Sequence, residues 1–385
     1  MRLAQDLNFT DEPSPNLPVA EREEYRRAFW SLYLLERLVS CGRCRQPAIL
    51  DRSCSLRLPC DEIAWLSGSE QQMATLVDFT TSSAVGKNNI NSFAMVVVVA
   101  SSLSHCAQYM LNIHHLGREH LPWHPQSGHA AIASGVLSLE TRLAIAIPIE
   151  NVLKEQCSPD GFLDQSSSST LVFSRLLFHL CQCLLYHPFL LSEWVVTYNL
   201  QPPKAFWNHA KEISSHASSD MVDLLVRAKR AGCVLVSSFS GYCVTVAATV
   251  QAIHFTASQS SEEHRFIAEH QQCAEHLEWL TRYWSNATSM VGRIELPISL
   301  RGFLLIGLTR NLDSATLEPW YSSIEVLIPK RASTPDSNPR IESCCGACST
   351  IALFLNTHWM LQMPEVGEIT FCPQSMNYRH YGFVA

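Results

Sequence analysis

Between residues 21 and 40 (EREEYRRAFWSLYLLERLVS) apolar positions recur at Ala28, Leu32, Leu35 and Val39, with spacings of four, three and four. That spacing lines one face of an α-helix. Phe29, Tyr33 and Leu34 widen the face, and the acidic residues of the first turn suit the positive end of the helix dipole. Cys41-Gly42 closes the helix, and Gln46-Pro47 forces an extended exit. Residues 47–62 (PAILDRSCSLRLPCDE) read as a loop crossing a surface. Residues 72–116 read as helical, interrupted at Lys87-Asn88-Asn89. A Pro-broken connection follows at 117–129. Residues 130–155 read as one further helical stretch, and Ser166 to Ser169 as a short flexible run. Leu171 to Tyr186 is an apolar helix stopped by His187-Pro188. The helical pattern continues over 204–219 and 220–255. The clearest stripe lies in 262–284, where Phe266, His270, Cys273, Leu277, Leu280 and Trp284 are spaced 4, 3, 4, 3 and 4. Strand-type alternation is scarce and no repeat of fixed period occurs. The expected fold class is all-α. Residues 332–345 are rich in Ser and Pro and read as a linker or loop. Residues 346–385 carry no clear period and read as an irregular tail.

Composition narrows the function classes. Of 385 residues 47% are hydrophobic and 16% charged, with 28 basic against 35 acidic residues and a net charge of −7. Such a chain is too apolar to stay disordered. Its acidic balance argues against a self-sufficient nucleic-acid binder. The 15 cysteines are spread along the chain, which fits reduced thiols in a cytosolic or nuclear setting better than a disulfide framework. The first residues show no apolar targeting segment. Phe93 to Leu103 is too short to span a bilayer. Ala231 to Phe255 is long enough, but its Ser, Thr, Gly, Gln and His content makes it a buried helix or helix pair instead. No membrane is expected.

Four clusters invite chemistry. Cys41, Cys44, Cys54 and Cys60 lack the second close pair of a structural zinc site. Cys344, Cys345 and Cys348, with Cys372 as a fourth, have the same defect. His114, His115, His120, His124 and His129 are broken up by Pro122 and Pro125. His270, Cys273 and His276 fall on the apolar stripe, where packing explains them without catalysis. No nucleotide-binding, nucleophile-elbow or kinase motif occurs. The expectation is therefore no catalytic residue, no cofactor and no metal ligand in this chain. The basic run Arg22, Arg26, Arg27, Arg37, Arg43, Arg45, Arg52 and Arg57 is diluted by acids and reads as a solvated mixed surface. A helical enzyme built on Cys and His side chains stays open as an alternative.

Several segments together resemble one family. Arg26-Arg27-Ala28-Phe29-Trp30, Leu35-Glu36-Arg37-Leu38, Ser40-Cys41-Gly42-Arg43, Pro47-Ala48-Ile49 and Leu58-Pro59-Cys60-Asp61-Glu62 follow one another as in the helical regulatory region of fungal zinc-cluster transcription factors. Met1 to Asp11, Pro122-Trp123 with Pro125 and Ser127, Cys181-Gln182-Cys183 and His187-Pro188-Phe189-Leu190-Leu191 extend the likeness. So do Phe239 to Cys243 and Arg282-Tyr283-Trp284. Glu36 stands where the family usually has Asp. The resemblance covers residues 1–295 and leaves 296–385 as a variable tail. It implies a nuclear, all-α regulatory domain controlling RNA polymerase II transcription, with Arg27, Trp30, Arg37, Gly42, Pro47 and Asp61 as structural signature positions. Arg27 or Arg37 is expected to pair with Asp61 and pin the loop over the helix. The family's six-cysteine zinc cluster has no counterpart in these residues. DNA and zinc are thus implied only through a module outside them, one that is missing or supplied by a partner. Either the chain is a truncated product or it is a coregulator deficient in DNA binding. Coregulators, a small-molecule effector and a dimer are the partners the resemblance leaves open.

Overall fold

The computed structural model describes residues 10–41, 46–81, 90–111, 121–257 and 263–294. Among these residues there are twelve α-helices and no strand. In chain order they are α1 (Val19–Ser40), α2 (Glu62–Ser67), α3 (Leu76–Thr81), α4 (Ser92–Leu111), α5 (Gly128–Arg142) and α6 (Ile149–Lys154). Then come α7 (Gln165–Leu185), α8 (Pro188–Thr197), α9 (Lys204–Arg230), α10 (Ser238–Ala257), α11 (Glu263–Leu280) and α12 (Asn286–Ile294).

Local signals set the boundaries. Asp164 accepts from the N–H groups of Ser166 and Ser167 and so starts α7, as an N-cap acid does. The serine run expected to be flexible is therefore the first turn of that helix. The expected helix 130–155 is divided into α5 and α6 by a turn in which Ala144 is left-handed, and Pro148 stands just before the first residue of α6. Conversely, the expected break at residue 219 is absent, and α9 runs through it. Ser127 caps α5 and Pro188 opens α8 at its first turn.

The core is centred on α7. Its most extensive packing is against α4 and then α9, with α10 and α5 also in contact. Val172, Leu176, Leu177, Leu180, Cys181 and Cys183 are all fully enclosed. A helix that is apolar on every side requires neighbours on every side. Both α4 and the stretch of α7 and α8 are long and apolar enough to cross a membrane, yet 78% of each window is buried within the chain. They are core helices here, and α4 extends well past the short apolar run that marks it in the sequence. At the other end of the core α10 meets α11 and α12 closely. A Cβ at Gly241 would lie 2.8 Å from Met290 Sδ and 3.2 Å from Leu280. The stripe on α11 is largely as expected: Phe266, Cys273, Leu277 and Leu280 are buried, while Trp284 lies beyond the helix and is exposed.

Candidate functional site

Two regions gather polar groups in or beside the core. The first is the junction of α1 with the segment 46–62. Pro47 directs the chain back along α1, and the Glu36 carboxylate accepts from the N–H groups of Ala48 (2.7 Å) and Ile49 (3.2 Å). Arg37, 3% exposed, donates from Nη2 to the Ile49 carbonyl and to Asp51 Oδ1, both at 2.6 Å, and lies over the Tyr33 ring. Asp51 also accepts from the Tyr33 hydroxyl (2.6 Å) and, on its other oxygen, from Ser101 of α4 (2.6 Å). His105 lies 3.3 Å from that second oxygen. Burial by itself would raise the Asp51 pKa. The hydrogen bonds from His105, Ser101 and Tyr33 and the charge of Arg37 outweigh it and hold the carboxyl far below its usual range.

The rest of the segment is fastened in the same way. Trp30, fully buried, donates its indole N–H to the Arg57 carbonyl at 2.8 Å. Glu23, 1% exposed, accepts from the Cys60 N–H and from Arg27. Arg27 reaches on to Glu62 (2.8 Å) and the Cys60 carbonyl (2.9 Å) and lies over Trp65. Arg26 grips Glu12 through Nε and Nη2.

The second region is a cleft of about 420 Å³ bordered by α5, the turn 143–148, α6, α7 and α9. The turn carries Ala144 at φ 49, a left-handed conformation that few side chains adopt. Arg175 of α7, 5% exposed, holds this turn by donating to the Ile147 carbonyl (2.5 Å) and, at 3.4 Å, to Ala144. Its Nε has no acceptor. Among the described residues no carboxylate lies within ion-pair distance of it: burial lowers its pKa, and the neighbouring Arg227 lowers it further. His179, one turn on, has an unpartnered Nδ1, and burial with the Arg175 charge lowers its pKa to about 4. Arg227 at the mouth is engaged by both Glu150 oxygens (2.5 and 2.6 Å) and by Asp223.

A family model, the fungal specific transcription factor domain, matches residues 1–200. The chain belongs to this family. No curated protein and no solved structure matches it. The family match spans α1 to α8 and so includes the whole α1 junction. It ends just before α9, which forms one wall of the cleft.

Of the expected signature positions, Arg27, Trp30, Arg37, Pro47 and Asp61 lie at this junction, and Gly42 lies outside the described residues. The expected pairing is corrected. Arg37 meets Asp51, Arg27 meets Glu23 and Glu62, and Asp61 instead caps α2 by accepting from the Ala64 N–H at 2.7 Å. The expected solvated basic surface is likewise corrected, because Arg26 and Arg37 are buried in ion pairs. The segment 47–62 is no surface loop either: Ile49, Leu56 and Leu58 are enclosed.

Among the described residues no group of three or more His, Cys, Asp or Glu side chains is placed to hold a metal. Cys41, Cys54 and Cys60 are buried in the apolar core, and Cys44, the cysteines from Cys344 onward and His114 to His120 lie outside the described residues. His129 is enclosed by Tyr109, Tyr186 and Phe206 and bonds the Leu185 carbonyl. His276 meets Ser240, and burial pushes the Cys273 thiol up to about 12. Neither arrangement presents an activated nucleophile. The cleft arginine escaped the sequence reading. Its signal was a single charge inside the apolar run 171–185.

Proposed function

We propose that this chain is the regulatory part of a nuclear zinc-cluster transcription factor and controls transcription by RNA polymerase II. The observation that carries the reading is the family match over residues 1–200, within which the signature residues converge on one buried junction. DNA contact would come from a zinc-cluster module outside these residues, in the same polypeptide or in a partner. Coregulators and a small-molecule effector would act on the helical body. The regulatory unit is taken to run to about residue 295, since α9 to α12 share the core of α4 and α7. The junction has a structural part in this: it locks α1 onto α4 and does no chemistry.

The test fuses the full chain to a heterologous DNA-binding domain and measures a reporter gene. Transcription should change several-fold relative to the DNA-binding domain alone. An unchanged reporter, with the fusion folded and abundant in the nucleus, would overturn the reading.

A further inference from the structure

We propose that the cleft beside Arg175 binds a small organic monocarboxylate, its carboxylate paired to the Arg175 guanidinium. Calling that acid an effector rests on the regulatory reading above; the binding itself does not.

Three observations carry the proposal. The first is an uncompensated buried cation. An arginine stays protonated in proteins, and a buried charge is normally paired. Arg175 is 5% exposed and has only carbonyl oxygens for partners. The second is the form of the unused edge. At two other arginines the Nε and Nη2 edge takes a carboxylate side-on: Arg26 takes Glu12 this way, and Arg227 takes Glu150. On Arg175 the same edge has an unpartnered Nε and an Nη2 whose one bond, to Ala144, is 3.4 Å long. Planar two-point recognition of a carboxylate is what that edge offers. The third is the enclosure. The volume of about 420 Å³ falls in the range of small-ligand sites. Ile145, Phe178, Ile213 and Leu224 supply the apolar part of a mixed lining, and His179, which bonds Gln182 but leaves Nδ1 unpartnered, stands beside the arginine.

Charge sets the class. Besides Arg175 and Arg227 the cleft is bordered by Glu140, Asp220 and Asp223. These acids repel a polyanion such as a phosphate ester or a tricarboxylate. Arg227 is already occupied by Glu150 and Asp223, so one anionic group can be matched and no second one.

The test uses isovalerate as the probe, with isovaleramide as its uncharged isostere and citrate as a polyanion, each titrated against the full chain by ligand-observed NMR and calorimetry. Isovalerate should bind saturably in the millimolar range, at least tenfold tighter than isovaleramide, and citrate should not compete. Arg175→Lys should weaken isovalerate at least fivefold. Because that position is buried, a second variant, His216→Trp, narrows the cleft from its exposed rim and should weaken binding equally with Arg175 intact. Absence of saturable isovalerate binding, equal binding of acid and amide, competition by citrate, or native affinity in a folded His216→Trp chain would each overturn the proposal. A chain that binds isovalerate but leaves the reporter unchanged would refute the regulatory reading and leave the cleft standing.

Discussion

Arg37 and Arg175 are both almost completely buried, and both donate to carbonyl oxygens of a neighbouring turn. Arg37 also has Asp51, which in turn gathers Tyr33, Ser101 and His105. Arg175 has no acid within ion-pair distance among the described residues, and it lines a cleft, whereas Arg37, which also leaves Nε and Nη1 without a hydrogen-bond partner, does not. A buried charge with its counter-charge inside the fold is a strut. A buried charge without one is a receptor waiting for a counter-charge from outside. The two regions also differ in sequence logic. The Arg37–Asp51 pair of the strut lies within one short stretch of chain, whereas the walls of the cleft come from segments on both sides of the C-terminal limit of the family match.

Among single substitutions the largest effect is expected from breaking the strut. Arg37→Ala leaves Asp51 without its cation and should cost about 3–5 kcal/mol, read from denaturant unfolding. A loss below about 1 kcal/mol would mean that the junction is no more than a surface pair.

Acid should come next, in two separate limbs. His129, His179, His254 and His276 have folded pKa values lowered to about 4, and His187 to about 3, all chiefly by burial. Their unfolded value is about 6.5, so between these limits the unfolded chain binds more protons. Stability is then full above about pH 6.5 and falls as pH drops towards 4, by up to about 1.4 kcal/mol per pH unit for each histidine. Asp51 contributes in the opposite range. Its lowered pKa stabilises the fold above its unfolded value of about 3.9, and that contribution is lost as pH falls further. Urea midpoints from pH 8 to 3 should show the first limb unchanged in Asp51→Asn and the second removed. A flat profile between pH 6.5 and 4.5 would contradict the buried neutral histidines.

A smaller loss belongs to Asp61→Ala, which removes the cap of a six-residue helix and should cost about 1 kcal/mol. An unchanged midpoint would show that α2 needs no cap. The smallest change is expected at the receptor. Arg175→Met replaces an uncompensated cation with an apolar chain of similar length, and its effect should stay within about 1 kcal/mol of zero. If it destabilises as much as Arg37→Ala, the two arginines are equivalent and the contrast is lost.

Much of the fold can be read from single helices. The stripes on α1 and α11 mark their buried faces, and His187-Pro188 marks the junction of α7 with α8. What failed was what depends on neighbours. Ser166 to Ser169 reads as flexible by composition, but Asp164 supplies the acceptors that start a helix there. Asp51 sits in a polar-looking segment, and its partnership with Arg37 depends on Ile49 and Leu56 being drawn under α1. Asp61 looks like an ion-pair partner in sequence, yet the nearest helix N-terminus claims it. The Arg175 cleft needed three dimensions, because its walls lie on helices separated by dozens of residues.

The central pairing of α4 with α7 also bears on how the chain is made. The valine-rich α4 leaves the ribosome first, and its main partner is complete only roughly 70 residues later. At about 5–20 residues per second that interval lasts several seconds, and α9 and α10 follow later still. For that time a segment apolar enough for a bilayer lacks its main cover. Newly made chains should therefore depend on chaperones that hold apolar helices, and a synthesis arrest placed between α4 and α7 should leave the nascent chain bound to them.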